Sequence, residues 1–298
     1  MTLCLYHGEF GYYTNPKGYV KKNDFITASS LSEHFAFCCA NRIKKLEYDR
    51  ITIIEYGGGN GELARSLYKL LKDDIKINYI IVEINRYRVG LLNKSLPQQI
   101  KATTKIGSCP SDNIVIIANE LFDAQPCNRY LSKDHCINEL MVTCKENKLQ
   151  WKLEPSNIDL PVSNYDQIYN LSSMHSKLLK EFVELDPKLV MIFDYGFLEH
   201  ELYHPVRKEN SIYTYKNHKI STDPFFSPGE QDLTYMIDFT KIINLAKSFH
   251  FKLNEFSNLT SFLIKNNILK YQQNNNTLEN QHALQILTNP TEMGELMK

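Results

Sequence analysis

The residues with the clearest chemical potential are the run Glu55-Tyr56-Gly57-Gly58-Gly59-Asn60-Gly61. Glycines at that density let the backbone turn tightly and let a ligand approach without interference from Cβ. A helix opening there would present unpaired N–H groups. A dinucleotide would need G-x-G-x-x-G or its alanine-ending variant. Counted from Gly57, the last position is Glu62. Counted from Gly59, it is Ala64, but Glu62 then lies inside the fingerprint. A carboxylate at that point repels an arriving pyrophosphate, so a ligand without phosphate is the better match. Glu83, which closes the next apolar run, can accept hydrogen bonds from both hydroxyls of a ribose. That feature serves either ligand. The competing reading is a tight turn with no ligand and a solvated glutamate.

A second set, Asn119-Glu120-Leu121-Phe122-Asp123, follows an apolar run ending at Ala118. In open α/β sheets, ligands bind beyond the carboxyl ends of the strands. Glu120 and Asp123 are therefore candidates to grip a ligand. Alternatively, Asn119 and Asp123 cap a turn and Glu120 is a surface charge. Asp194 either lines the same cleft or satisfies a turn. Asp232 either supports the substrate side or caps a helix starting at Leu233. His200-Glu201-Leu202-Tyr203-His204 matches the zinc-protease pattern H-E-x-x-H. That chemistry needs both histidines on one stable helical face and a third ligand. Pro205 follows directly and disfavours helix at His204, so a zinc reading is set aside and no metal is expected.

The elements that must position these residues are legible in the pattern. Residues 51–56 form a β-branched run suited to a buried parallel strand. Leu63, Ala64, Leu67, Leu70 and Leu71 recur at helical spacing. Residues 77–83, 113–120 and 188–196 read as further strands. Phe239, Ile242, Ile243, Ala246 and Phe249 form a helical stripe with Asp238 as its N-cap. Strands alternating with helices predict a doubly wound parallel sheet. Residues 31–46 are amphipathic, and the polar run 271–281 is expected to be an exposed connection.

Composition is that of an ordinary globular chain: 298 residues, 43% hydrophobic and 23% charged. Thirty-four basic residues balance thirty-four acidic ones. That balance argues against broad nucleic-acid binding, which leaves a basic footprint. No stretch approaches the roughly 18 apolar residues of a membrane span, and no secretory signal or transit peptide is visible at the start. The seven cysteines are scattered, without the spacing of a disulfide framework or zinc knuckle. They read as reduced thiols in a cytosol.

The spacing of Glu55, Gly57, Gly59 and Gly61, E-x-G-x-G-x-G, resembles the first motif of class I S-adenosylmethionine-dependent methyltransferases. Further segments together resemble one family, the MidA-like methyltransferases, whose mitochondrial members assist complex I assembly. They are LYHGEFGYY (5–13), DFITAS (24–29), EYGGGNGELA (55–64), ANELFDAQP (118–126), DYG (194–196), YHPVR (203–207), GEQDLTYMIDFT (229–240) and EMGELMK (292–298). The span is nearly the whole chain. ANELFDAQP and the QDLT…DFT pair are the most specific. Two departures stand out. Ser29 and Ser30 occupy positions where the family usually has Pro-Glu, and an amino-terminal piece common in relatives is expected to be absent.

The resemblance implies an α/β fold of class I, Rossmann-like, with a mostly parallel seven-stranded sheet. Residues 1–50 would cover the active site. Residues 51–298 would form the methyltransferase domain, with insertions at about 128–187 and 197–236. It implies S-adenosyl-L-methionine as cofactor, with Glu55, Gly57, Gly59, Gly61, Glu83, Asn119 and Thr27 around it. It implies methyl transfer to an arginine of a protein acceptor, a complex I-type subunit in the mitochondrial branch. Glu120 and Asp123 would be catalytic, with Phe122, Tyr13, Asp194 and Asp232 on the substrate side. Phe122 would wall the pocket or stack on the guanidinium. The alternative is a cofactor-binding assembly factor without turnover. The expected compartment is the cytoplasm, or the mitochondrial matrix in a eukaryote, with no insertion into membrane.

Overall fold

The computed structural model describes residues 1–15, 27–107, 113–163, 165–207 and 212–298. Gly18, Tyr19 and the start of the DFITAS segment lie outside the described residues. Three helices come first: α1 (Thr2–Tyr6), α2 (Ala28–Leu31) and α3 (Glu33–Lys44). Then β1 (Arg50–Tyr56), α4 (Glu62–Leu71), β2 (Lys76–Val82), α5 (Arg86–Ser95), β3 (Ile100–Thr103) and β4 (Ile114–Asn119) alternate. An antiparallel excursion follows: β5 (Asn128–Lys133), β6 (Cys136–Lys145), β7 (Lys148–Pro155) and β8 (Gln167–Leu171). The chain returns through α6 (Ser173–Glu184) to β9 (Leu189–Phe193). Short elements come next: β10 (Gly196–Phe197), α7 (Glu199–Leu202), β11 (Tyr213–Lys216), β12 (Lys219–Ser221), β13 (Asp232–Thr234) and β14 (Ile237–Asp238). The last helices are α8 (Phe239–Ser248), α9 (Leu259–Lys265), α10 (Ile268–Asn274), α11 (Leu278–Thr288) and α12 (Met293–Leu296).

Successive side chains of a strand point to opposite faces, and here both faces are apolar. Ile51 and Ile53 of β1, with Val115 and Ile117 of β4, join one core, which contains Phe35, Leu67 and Leu263. Ile54, Ile114 and Ile116 join the other, with Phe182, Phe239 and Ile242. This explains why 51–56 and 114–118 read as unbroken apolar runs. A strand covered by helices on both sides has no solvent face to keep polar. Strand order is β3-β2-β1-β4-β9, and every pairing is parallel. The order reverses between β1 and β4, and the crevice at their carboxyl ends is where ligands bind in such sheets.

The expected helix after Asp238 is present as α8, with the Asp238 carboxylate accepting from Lys241 N. Several expectations need correction. The central sheet has five strands among the described residues, not seven. β10 and β14 pair with each other in parallel, as a separate two-stranded unit, and no strand is assigned across 251–258. Asp232 starts strand β13 and caps no helix, because β13 pairs with β11. The polar run 271–281 is mostly exposed, as expected, but it is more than a connection. It closes α10 and opens α11, with Thr277 accepting from Asn280 N as N-cap. Tyr271 is buried and packs against Phe37 and His34.

Where β10 runs beside β14, a Cβ on Gly196 would lie 2.2 Å from Ile237 O. Backbone cannot give way there as a side-chain tip can. Gly196→Ala is expected to lower stability by about 1–3 kcal/mol, read as a lower urea midpoint with an unchanged slope. An unchanged midpoint would show that these two strands separate without cost.

Candidate active site

A cavity of about 860 Å³ opens at the carboxyl ends of β1, β2 and β4. The turn after β1 forms its floor. Gly57, Gly59 and Gly61 have φ of +74°, +53° and +72°, which side chains rarely tolerate. Gly61 also packs tightly, since a Cβ there would meet Leu92 Cδ2 at 2.9 Å. It shapes the turn from behind and is not on the cavity wall, whereas Gly57 and Gly59 are. Glu55 and Glu83 line the cavity and are almost fully buried. Burial pushes Glu55 up to about 7 and the nearby charge of Glu83 pushes the same way, although Tyr79 Oη donates to Glu55 Oε2 at 2.9 Å. Burial raises Glu83 too, against N–H bonds from Asn85, Gly59 and Ile84 and the charge of Arg88.

Thr27 lines the same cavity from above, together with Ser29 and Ser30. It is the N-cap of α2: its Oγ1 accepts from Ser30 N, and its N donates to Ser30 Oγ. Asn119 ends β4 and also faces the cavity. Its Nδ2 donates to Glu120 Oε1 at 3.3 Å, while its Oδ1 is buried without a hydrogen-bond partner. Such an orphan acceptor is uncommon in a folded protein and suits a ligand that brings a donor.

A second cavity, about 410 Å³, adjoins the first. Asp123, Asp232, Tyr195, Tyr215 and Thr234 line it, and Tyr13, Glu120 and Ile286 line both. Among the described residues, no Lys, Arg or His lines this second cavity. Burial pushes Glu120 up to about 8, with Asp194 and Asp232 adding repulsion. Burial and the charges of Asp194, Glu120 and Asp232 hold Asp123 well above the usual carboxylate range. Glu120 has φ +51°, an uncommon conformation for a side-chain-bearing residue that clusters at functional sites. Its Oε1 accepts from Ala28 N at 3.2 Å, which ties the start of α2 to this turn.

What holds Glu120 in that conformation is the bonding of the turn it opens. Glu120 N donates to Phe193 O at 2.8 Å. The N–H groups of Leu121, Phe122 and Asp123 all reach Asp194 Oδ2, at 3.1, 2.7 and 3.4 Å. The carbonyls are taken from other directions. His175 Nε2 donates to Phe122 O at 2.8 Å, Tyr235 N to Asp123 O at 3.3 Å, and Tyr6 Oη to Ala124 O at 3.0 Å. Burial drives His175 down to about 4, so it serves as a neutral donor.

Two expectations are corrected here. Asp194 is fully buried and lines neither cavity; it satisfies the turn. Burial lifts it to about 7 despite those N–H bonds. Phe122 is equally buried and packs against Phe182 and His175 in the second core, so it walls no pocket. Its amide, rather than its ring, matters to the site. Tyr13, Glu120, Asp123 and Asp232 line one cavity. His175, Tyr235, Tyr6 and Asn85 are not singled out by residue type or spacing, although Tyr6 and Tyr235 fall inside the LYHGEFGYY and GEQDLTYMIDFT segments. The H-E-x-x-H stretch yields only the four-residue α7, with His204 beyond it. No group of three metal-capable side chains occurs among the described residues.

The parallel sheet with a glycine turn and acidic residues at its switch point defines an α/β protein of the doubly wound class. The family described as "Putative S-adenosyl-L-methionine-dependent methyltransferase" matches residues 35–257, and the chain belongs to that family. A curated relative is the protein arginine methyltransferase NDUFAF7 homolog, mitochondrial, of Drosophila melanogaster. It is 24% identical over 294 residues, covering 83% of this chain and 65% of the relative. The chain thus spans just under two thirds of that relative's length. A Burkholderia thailandensis protein crystallised with S-adenosyl-homocysteine superposes with a TM-score of 0.85 at 22% identity, covering 99% of this chain and 84% of that one. A native crystal structure of a Burkholderia thailandensis protein gives 0.84, also at 22% identity, with 99% and 83% covered.

The cofactor is S-adenosyl-L-methionine, and the residues present fit it. Glu83 offers acceptors for ribose hydroxyls, and the orphan Asn119 Oδ1 offers one for a cofactor N–H. Acidic walls that would repel a phosphate are compatible with a sulfonium.

The buried carboxylates carry a pH signature. Folding favours the protonated form of Glu120, whose position shifts from 4.5 to about 8. That contribution is complete below pH 4.5 and is lost as pH rises through about 8. Glu120→Gln keeps an acceptor for Ala28 N and cannot ionise. Its melting temperature relative to wild type, followed by calorimetry, is expected to climb from pH 5 to about pH 8 and to level off above that. A pH-independent difference would refute the burial argument.

Proposed function

We propose that this chain transfers a methyl group from S-adenosyl-L-methionine to a guanidinium nitrogen of an arginine in a protein acceptor. The observation that carries this reading is the acidic second cavity, which lacks basic residues among the described lining and meets the cofactor cavity at Tyr13 and Glu120. The arginine methyltransferase named among the relatives supports the same acceptor class.

When bound, S-adenosyl-L-methionine supplies an electrophilic methyl carbon on a sulfonium. Guanidinium remains protonated and delocalised at neutral pH. A nucleophilic nitrogen must therefore be made by localising the charge elsewhere. Glu120 and Asp123 accept N–H bonds from the guanidinium and draw its charge toward the carboxylates, in the charge-assisted manner of arginine–carboxylate pairs. Their repulsion, relieved by the cation, favours its entry. As the nitrogen gains carbon it sheds one proton, and the raised Glu120 carboxylate receives it at Oε2. Asp232 and the tyrosines around it hold the arginine stem. Residues 1–50 cover the site and exclude water, and residues 51–298 carry the transferase domain, with insertions at about 128–187 and 197–236.

By the same family reading the acceptor is a complex I-type subunit, with the protein in the bacterial cytoplasm or the mitochondrial matrix. Among the described residues no helix is long and apolar enough to cross a membrane. The alternative, a cofactor-binding assembly factor without turnover, is motivated by Ser29 and Ser30, which stand on the cavity wall where relatives usually have Pro-Glu.

A labelled methyl donor with an arginine peptide separates the two readings. Glu120→Gln and Asp123→Asn are expected to cut kcat on the order of 100-fold while S-adenosylhomocysteine affinity stays level. Glu83→Ala should instead weaken that affinity by about 10-fold or more. Cofactor binding with no transfer to any lysate protein would favour the assembly-factor reading. Unchanged kcat in both carboxylate variants would remove their assigned role.

A further inference from the structure

Tyr13 stands between the two cavities, and its bonds run toward both. Its carbonyl oxygen accepts Asn85 Nδ2 at 2.8 Å. Asn85 is buried, and the rest of it is committed to the cofactor side. Its N donates to Glu83 Oε1 at 3.0 Å, and its Oδ1 accepts Arg88 N at 3.1 Å, capping α5. At its other end, Tyr13 Oη donates to Asp232 Oδ1 at 2.7 Å, and Asp232 lines the second cavity. The ring is fixed by stacking on Tyr6 at 5.7 Å and by an edge contact with Tyr12 at 5.1 Å. Three hydrogen bonds thus connect the carboxylate closing β2 with a carboxylate of the acceptor cavity.

We propose that Tyr13, held through Asn85, is a positioning residue that makes acceptor binding depend on an occupied cofactor site. A ligand that hydrogen-bonds Glu83 orders the 83–85 turn, because Asn85 N shares that carboxylate. Asn85 cannot shift without giving up its cap on α5, so the ordering passes to the Tyr13 carbonyl and stiffens the residue. A stiffened Tyr13 holds its hydroxyl on Asp232 Oδ1 and so fixes the orientation of that carboxylate in the acceptor cavity. The acceptor then binds to a cavity whose ordering has already been met, which is positive coupling without a large movement. This inference rests on the arginine reading above and goes beyond it in naming how the two sites communicate.

The test titrates acetyl-Gly-Arg-Gly amide into the full chain by calorimetry, with and without saturating S-adenosylhomocysteine. The peptide is expected to bind about 10-fold more tightly with the nucleoside present. By linkage, the peptide should tighten S-adenosylhomocysteine by the same factor. Tyr13→Phe keeps the ring and backbone anchor but removes the donor to Asp232. Asn85→Ser keeps a helix cap but removes the donor to Tyr13. Each is expected to reduce the ratio to about 2-fold or less. A purely structural role would weaken both ligands alike and leave the ratio intact. An undiminished ratio in both variants, or a wild-type ratio of one, overturns the proposal while leaving the arginine reading standing. A peptide that binds in neither state removes the arginine reading, and the proposal with it.

Discussion

The site depends on one carboxylate. Asp194, at the end of β9, takes the N–H groups of Leu121, Phe122 and Asp123 on a single oxygen. A turn of this kind exposes donors that no strand or helix can satisfy, and buried donors left open are costly. An ionised acceptor bonds them more strongly than a neutral one. With the donors anchored, the carbonyls of Phe122, Asp123 and Ala124 are free to be taken by α6, by the segment between β13 and β14, and by α1. Three remote pieces of chain therefore meet at one turn. Glu120 can hold its left-handed backbone conformation because its neighbours are so fully constrained.

The same arrangement crowds negative charge. Glu120, Asp123, Asp194 and Asp232 act on one another, and burial raises the first three. In a stable protein such crowding is tolerated where something is gained by it. Protonation relieves it in the free protein, and a cationic ligand relieves it more fully. The cofactor cavity repeats the theme more mildly at Glu55 and Glu83, where Tyr79 and backbone N–H groups share the load. The second cavity, with no Lys, Arg or His in its described lining, is thus suited to a cation, whereas the first mixes Glu55, Glu62 and Glu83 with Arg88 and Lys105.

The central sheet explains where these groups stand. Apolar residues on both faces of β1 and β4 force helices onto both sides, and the reversal of strand order opens a crevice between them. The amino-terminal segment meets the crevice through two kinds of contact: Ala28 N with Glu120, and Tyr13 with Asn85 and Asp232. On the opposite side, α11 brings Ile286 to the border of both cavities. A polar, asparagine-rich stretch leads into this wall. Its caps use Asn275 and Thr277, so composition reports its exposure but not the helix ends within it.

Much of this was determined by local sequence. Burial on both faces demands continuous apolar strands, and a tight turn against Leu92 and Leu96 demands glycine, so β1, its turn and Glu83 were legible from residue type and spacing. The carboxylates after Ala118 were legible for the same reason, because a strand end in such a sheet is a ligand position. Tertiary structure decided what local pattern cannot carry. It turned Phe122 into the core and sank Asp194 beneath the turn, roles set by neighbours more than 50 residues away in the chain. It recruited His175, Tyr6 and Asn85, whose partners are likewise distant. Among the described residues it also gave the central sheet five strands rather than seven, since strand pairing depends on what the rest of the fold presents to an edge. Periodicity reports which face of an element is buried; only the assembled chain reports what lies against that face.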